Sequence, residues 1–171
     1  MKTKIFVLIL LACSAMLGSI LMWPVDFMEI RSKDTRILAM PLYSGQIFTT
    51  RYIHSVQLTP VEDEYVIVGG RLWGWEERVQ SHNAGLPFDA PANGRFIVDP
   101  PWMRIQGGRH SWESLIYRVG TDSFGKNEWV FPPLPPVKIY QLYPGKRVTI
   151  TIRRLALGKA LGEKQSGTAA P

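Results

Sequence analysis

From residue 36 onward, apolar and polar residues alternate in short runs broken by glycine and proline. A period of two is the signature of half-buried strands. The runs are Arg36–Leu42, Gly45–Ser55, Glu62–Val68, Arg71–Val79, Arg95–Val98, Trp102–Gln106, Leu115–Val119, Val137–Leu142 and Arg147–Arg153. The last is the cleanest, with Val148, Ile150 and Ile152 facing one way and Thr149 and Thr151 the other. Gly69-Gly70 alone separates two of the runs, the spacing of a two-residue hairpin turn whose residues need positive φ. Short strands at regular spacing with turn signals between them predict an all-β domain, a compact antiparallel β-sandwich or barrel. No convincing amphipathic helix follows residue 24. Residues 154–162, RLALGKALG, have the spacing of a short helix, but two glycines weaken it. FPPLPP at 131–136 reads as a stiff extended connector. The β-domain is expected over residues 25–158 and a disordered tail over 159–171.

One stretch breaks the alternation. Residues 5–23, IFVLILLACSAMLGSILMW, contain no charge. At ~1.5 Å per residue they make about 28 Å of helix, close to the ~30 Å hydrocarbon core of a bilayer. Residues 1–24 therefore read as a transmembrane anchor or a signal sequence. The run is long and ends without a clean small-x-small cleavage site, which favours an uncleaved anchor. Ala12 to Ala15 allow a cleaved signal peptide, and Leu10-Leu11-Ala12-Cys13 is a loose lipobox. All three readings export the domain. Lys2 and Lys4 precede the run and Asp26 and Glu29 follow it, so the positive-inside rule places the N-terminus in the cytoplasm. The expected location is the inner membrane, single-pass, with the C-terminal domain in the periplasm.

Charge and cysteine narrow the classes. Cys13 is the only cysteine, so the exported part has neither an intrachain disulfide nor thiolate chemistry. The formal net charge is +6. The excess sits at the C-terminal end, where Lys146, Arg147, Arg153, Arg154, Lys159 and Lys164 face Glu163 alone. An exported chain without a basic, aromatic-laced surface argues against nucleic acid.

Candidate chemistry gathers in residues 51–65, RYIHSVQLTPVEDEY. Taken in strict register, the Gly69-Gly70 hairpin sets Val68 opposite Arg71, Val66 opposite Trp73 and Glu64 opposite Trp75. Glu62 then meets Glu77, and Asp63 meets Glu76. Directly opposed like charges are unfavourable by up to about 1 kcal/mol, so something must offset them. Arg51, Arg78 and His54 are the candidates. The acids occupy both strand faces and no spaced Asp/Asn/Gly loop is present, so no metal or other cofactor is expected. His54, eight residues before Glu62, is placed to meet Glu62 or Glu64 across a turn. Ser55 points to the opposite strand face, so His54 does not activate it, and no GxSxG elbow exists. His82, His110 and Ser111 are equally uncommitted. The loop SHNAGLP at 81–87, with Gly85, Leu86 and Pro87, either closes the end of the barrel or meets a partner. No catalytic residue is expected. His54, Ser55, Glu62, Glu64, Glu77, Gly85, Leu86 and Pro87 form a candidate interaction or structural site. Two alternatives remain. One is a small-anion module with a pocket lined by aromatic residues and arginine, such as Trp73, Trp75 and Arg51; the other is an enzyme using His54 with a glutamate.

YIHSV at 52–56, TPVEDEY at 59–65 and AGLP at 84–87 together resemble the family called domain of unknown function 1850. The likeness spans about residues 40–120, and Asn83 stands where that family's first loop glycine is expected. The resemblance implies a small exported or membrane-anchored protein encoded beside TAXI-type TRAP transporters, tripartite systems that import organic acids on an ion gradient. It implies a non-enzymatic accessory subunit whose partner is the transporter's membrane subunit or its solute-binding protein. It carries over no catalytic residues.

Overall fold

The charge-free N-terminal run forms a helix, α1 (Lys2–Leu21), with no buried residue. It is one helix long and apolar enough to cross a membrane. The structure, a computed structural model, describes residues 2–81, 85–87, 89–108 and 110–165, with side chains to residue 163. His82, Asn83 and Ala84 of the expected loop, and 166–171 of the expected tail, lie outside the described residues.

The alternating runs become strands in two antiparallel sheets. The smaller sheet has the order β2 (Thr35–Leu42), β1 (Pro24–Ser32), β11 (Arg147–Ala156), β9 (Ser114–Arg118). The larger runs β10 (Glu128–Val130), β3 (Gln46–Ile53), β4 (Pro60–Val68), β5 (Arg71–Val79), β7 (Trp102–Gly107), β6 (Gly94–Asp99), with β8 (Ser111–Trp112) paired to β5. The expected all-β sandwich with one N-terminal helix is the observed fold. Met28, Ile30, Val148, Ile150 and Ile152 from the smaller sheet pack with Phe48, Ile67 and Leu72 from the larger. Phe48 stacks on Phe131 at 4.6 Å and meets Trp129 edge-on at 6.0 Å, geometries that aromatic quadrupoles favour.

Besides the short strands β8 and β10, which no alternating run marks, three elements depart from expectation. The first is β1, which begins two residues after α1 and looked like charged flank. Asp26, Glu29 and Arg31 disguise it, yet residues 26–30 are all buried. A strand covered on both faces shows no alternation. The second is Val137–Leu142, expected as a strand. Val137 makes a single bridge to Trp129, and Ile139–Leu142 form a short helix, α2. The proline-bound approach leaves too few residues for a ladder. The third is the tail: residues 159–165 belong to a helix, α3 (Leu157–Gln165).

The α3 helix covers the outer face of β1. Ala160 and Phe27 are fully buried, and the Arg153 guanidinium lies 5.7 Å from the Phe27 ring centre. Glu29 pairs with Arg36 at 2.7 Å, Arg31 at 2.8 Å and Arg153 at 3.2 Å, while Arg153 reaches Glu163 of α3 at 2.7 Å. Burial opposes ionisation of Glu29, but the hydrogen bonds and charges of Arg31 and Arg36 outweigh it and hold the carboxyl below its ordinary value. Part of the C-terminal basic excess is therefore spent inside the fold.

The same end carries the junction with α1. Leu157 N–H donates to Trp23 O at 2.9 Å, and Gly158 lies against Leu21. The β4–β5 turn arrives there too. Gly70 N–H donates to Asp26 Oδ1 at 2.6 Å, and its missing Cβ would sit 3.2 Å from Arg154 N. Gly69 and Gly70 both have positive φ, 64° and 78°. Left-handed backbone costs a non-glycine residue about 1–2 kcal/mol. Gly70→Ala is expected to lose about 2 kcal/mol and Gly69→Ala, with open space around it, about 1 kcal/mol. Denaturant unfolding of the detergent-solubilised chain measures both; equal losses would contradict the crowding at Arg154.

Candidate functional site

The acidic hairpin does not keep the strict register. Val68 meets Arg71, Val66 meets Trp73 and Tyr65 meets Gly74 as strict register requires, but Glu64 meets Glu76. Trp75 is the extra residue of a β-bulge, and every later residue of β5 is displaced by one. Glu62 therefore opposes Arg78, and Asp63 opposes Glu77. A glycine inside a strand pattern is the sequence signal for a bulge; here it is Gly74, which also accepts the Trp112 ring at 3.4 Å from where a Cβ would lie.

The shift sorts the acids by face. On the outer face one row reads Arg51, Glu62, Arg78, Arg104, and the next Thr49, Glu64, Glu76, Gln106. Glu62 pairs with Arg51 at 2.7 Å and Arg78 at 2.8 Å; Arg78 also reaches Glu64 at 2.6 Å and bonds Glu76. Arg104 reaches Glu76 at 2.8 Å and Asp99 at 3.3 Å. Burial works against the Glu76 charge, yet Arg104, Gln106 and Arg78 overcome it and draw the carboxyl down to about 2. The expected cationic partners are thus Arg51 and Arg78, joined by Arg104, which the sequence reading missed.

On the inner face the pair Asp63–Glu77 has no such help. Its row neighbours are Thr50 and Ile105, and the Thr50 hydroxyl donates to Asp63 Oδ2 at 3.3 Å. Burial pushes the Asp63 carboxyl up to about 6, against the Thr50 bond. Burial, then the neighbouring Asp63, pushes Glu77 up to about 7. Tyr52, Tyr65 and Tyr117 stand around the pair. Burial raises all three phenols, Tyr117 to about 12 despite its bond with Asn127, so they remain neutral near pH 7. The pair also divides the interior. One apolar cluster, with Phe48, Ile67 and Leu72, lies between the sheets; a second, Val61, Val79, Leu86 and Ile105, lies beyond it.

The pair opens onto a cleft of about 370 Å³, lined also by Tyr65, Pro87, Asp89, His110 and Trp112. No lysine or arginine lines it among the described residues. Two carboxyls in contact with a cleft, both titrating near neutrality, can exchange a proton or accept hydrogen bonds from a cationic or hydroxylic group. Sequence reasoning named Glu77 but put it opposite Glu62, and it left Asp63 out of the site.

The other expected site residues lie apart from the pair. His54 caps its own turn: Nδ1 accepts from Gln57 N–H at 3.2 Å and Val56 N–H at 3.4 Å. It forms no ion pair with Glu62 or Glu64, because both spend their oxygens on arginines across the outer face. Ser55 is exposed in the same turn. Ser81 donates to Gln57 Oε1 at 3.0 Å, joining that turn to the 81–87 loop. Gly85 has φ 89°, Leu86 is buried in the second cluster and Pro87 lines the cleft. Trp73 and Trp75 share a groove of about 470 Å³ with Arg71, while Arg51 lines another cleft with Lys126 and Tyr140. Trp73 and Trp75 thus share their groove with Arg71 and not with Arg51. Among the described residues, no three His, Cys, Asp or Glu side chains converge as a metal site requires.

No curated protein and no solved structure matches the chain. A family model does match, over residues 48–132, which hold the His54 turn, the sorted acids and the loop that ends at Pro87. Over those residues the chain matches the model of the family described as Domain of unknown function (DUF1850).

Proposed function

We propose that this protein is a membrane-anchored, non-enzymatic accessory subunit of a secondary transporter, of the TAXI-type TRAP class that imports organic acids. On this reading α1 spans the inner membrane and the β-domain works in the periplasm. The observation that carries it is the junction. An apolar helix exposed on all sides runs into β1 within two residues, and α3 braces it through Trp23 and Leu21. So short and braced a tether holds the domain beside whatever membrane protein it accompanies, at high effective concentration. The resemblance noted in the sequence supplies the transporter. Co-purification of the tagged full chain with the membrane subunit of the neighbouring transporter, in mild detergent, is the expected result. Recovery of the chain alone from cells expressing both would overturn the reading.

A second reading draws on the cleft. Its walls carry carboxyls and aromatic rings and, among the described residues, no lysine or arginine. That favours a cationic or hydroxylic small ligand over an organic anion. A thermal-shift screen at pH 7.5 is expected to show stabilisation by amines or polyols. A shift from dicarboxylates alone would reverse this order.

A further inference from the structure

The outer face of the larger sheet changes character along its strands. The half distant from the anchor is the ionic lattice of Arg51, Glu62, Arg78 and Arg104. The half near the anchor is largely apolar: Ile47 opposes Val66, Val66 opposes Trp73, and Val68 ends the strand at the turn, where Arg71 opposite it is paired with Glu113. Val68 is 41% exposed and Trp75 56%. The Trp73 indole N–H reaches back to Val68 O at 3.4 Å, which draws its ring toward the turn. Tyr43, 62% exposed, joins this end, since its neighbour Leu42 pairs with Asp26.

We infer that this end of the domain rests on the bilayer that α1 crosses, with Tyr43, Val68 and Trp73 joining Trp23 in the headgroup layer of an anionic phospholipid surface. The inference rests on α1 being an anchor. Its first support is position. The β4–β5 turn is bonded to Asp26, two residues into β1, and at ~3.3 Å per residue that is about 7 Å past Pro24. The headgroup layer reaches about 5–7 Å beyond the hydrocarbon core, so the turn stands at its level. The second support is chemistry. Tryptophan and tyrosine favour that layer, where an apolar ring and a polar edge are both satisfied. Trp23, between α1 and β1, is also 69% exposed. The third support is charge. Arg154, whose backbone packs on Gly70, and Lys159 on α3 are both exposed at this end and complement anionic lipid phosphate.

Spin labels on the full chain in phosphatidylethanolamine–phosphatidylglycerol vesicles test this. A nitroxide on native Cys13 reports α1. In a Cys13→Ser background, Val68→Cys reports the turn, and Phe124→Cys reports the opposite end, where Gly125 O accepts from Ile53 N–H. The expected result is that relaxation by lipid-soluble oxygen relative to an aqueous nickel chelate is highest at 13, intermediate at 68 and lowest at 124. Lipid exposure at 13 with aqueous exposure at 68 overturns the docking and leaves the anchor standing. Aqueous exposure at both removes the anchor reading as well. A measurement free of engineered cysteines guards against misfolding. In the Trp23→Phe chain, brominated lipids are expected to quench the remaining tryptophan fluorescence through Trp73; loss of all quenching counts against the docking.

Discussion

Replacing Arg78 with methionine is expected to lower the unfolding free energy by about 3 kcal/mol, the low end of what breaking a buried ion pair costs. One guanidinium serves Glu62, Glu64 and Glu76 on adjacent strands. Methionine keeps most of the apolar stem but strands three carboxylates, of which Glu76 is nearly inaccessible. Arg51 and Arg104 still neutralise Glu62 and Glu76 in part, which is why the low end is chosen. Glu64 has no second arginine among the described ion pairs. Adding Glu64→Gln to Arg78→Met is therefore expected to restore part of the loss, a coupling that a double-mutant cycle reads directly. Arg95→Met is the control, because Arg95 is exposed and bonds only Gln106 among the described partners. If Arg78→Met unfolds no more easily than Arg95→Met, the lattice is decoration and not structure.

That lattice shows where sequence reasoning carries and where it stops. Alternation located most strands, since a half-buried strand must repeat every two residues. It failed for β1, whose two faces are covered by the opposite sheet and by α3, so that Phe27, Met28 and Ile30 are all buried. It also failed for α3, where Gly158 and Gly162 lowered helix propensity while packing of Ala160 and the Arg153–Glu163 pair overrode it. The candidate site failed differently. Crowding of five acids at one hairpin was legible, and so was their need for arginine. Which acid faced which was not, because one bulged residue at Trp75 reassigns every partner beyond it. Glu62 gains Arg78, and the unrelieved repulsion passes to Asp63 and Glu77. His54 looked chemical because it stood near acids in sequence, yet its ring nitrogen bonds backbone amides of its own turn.

Asp63→Asn is expected to raise the melting temperature at pH 8 by about 5–10 °C and to leave it nearly unchanged at pH 4. The sign follows from the direction of the shifts. Asp63 and Glu77 bind protons more tightly in the fold, near 6 and 7, than unfolded carboxyls do. Such groups favour the fold most below their unfolded values, and that contribution is lost as pH rises through the folded ones. At 1.36 kcal/mol per pH unit, ionising Asp63 costs the fold about 3 kcal/mol, and Glu77 less, because solvent still reaches part of it. Asparagine keeps the shape and the bond with Thr50 but never ionises, and it removes the charge that raises Glu77. A domain of this size gains about 2–4 °C per kcal/mol, which sets the expected range. The wild-type chain should lose stability between pH 5 and pH 8, and the variant should lose much less. Melting curves across that interval decide the matter: parallel pH profiles for the two chains would mean that the pair is relieved by solvent and that the cleft holds no strained carboxylates.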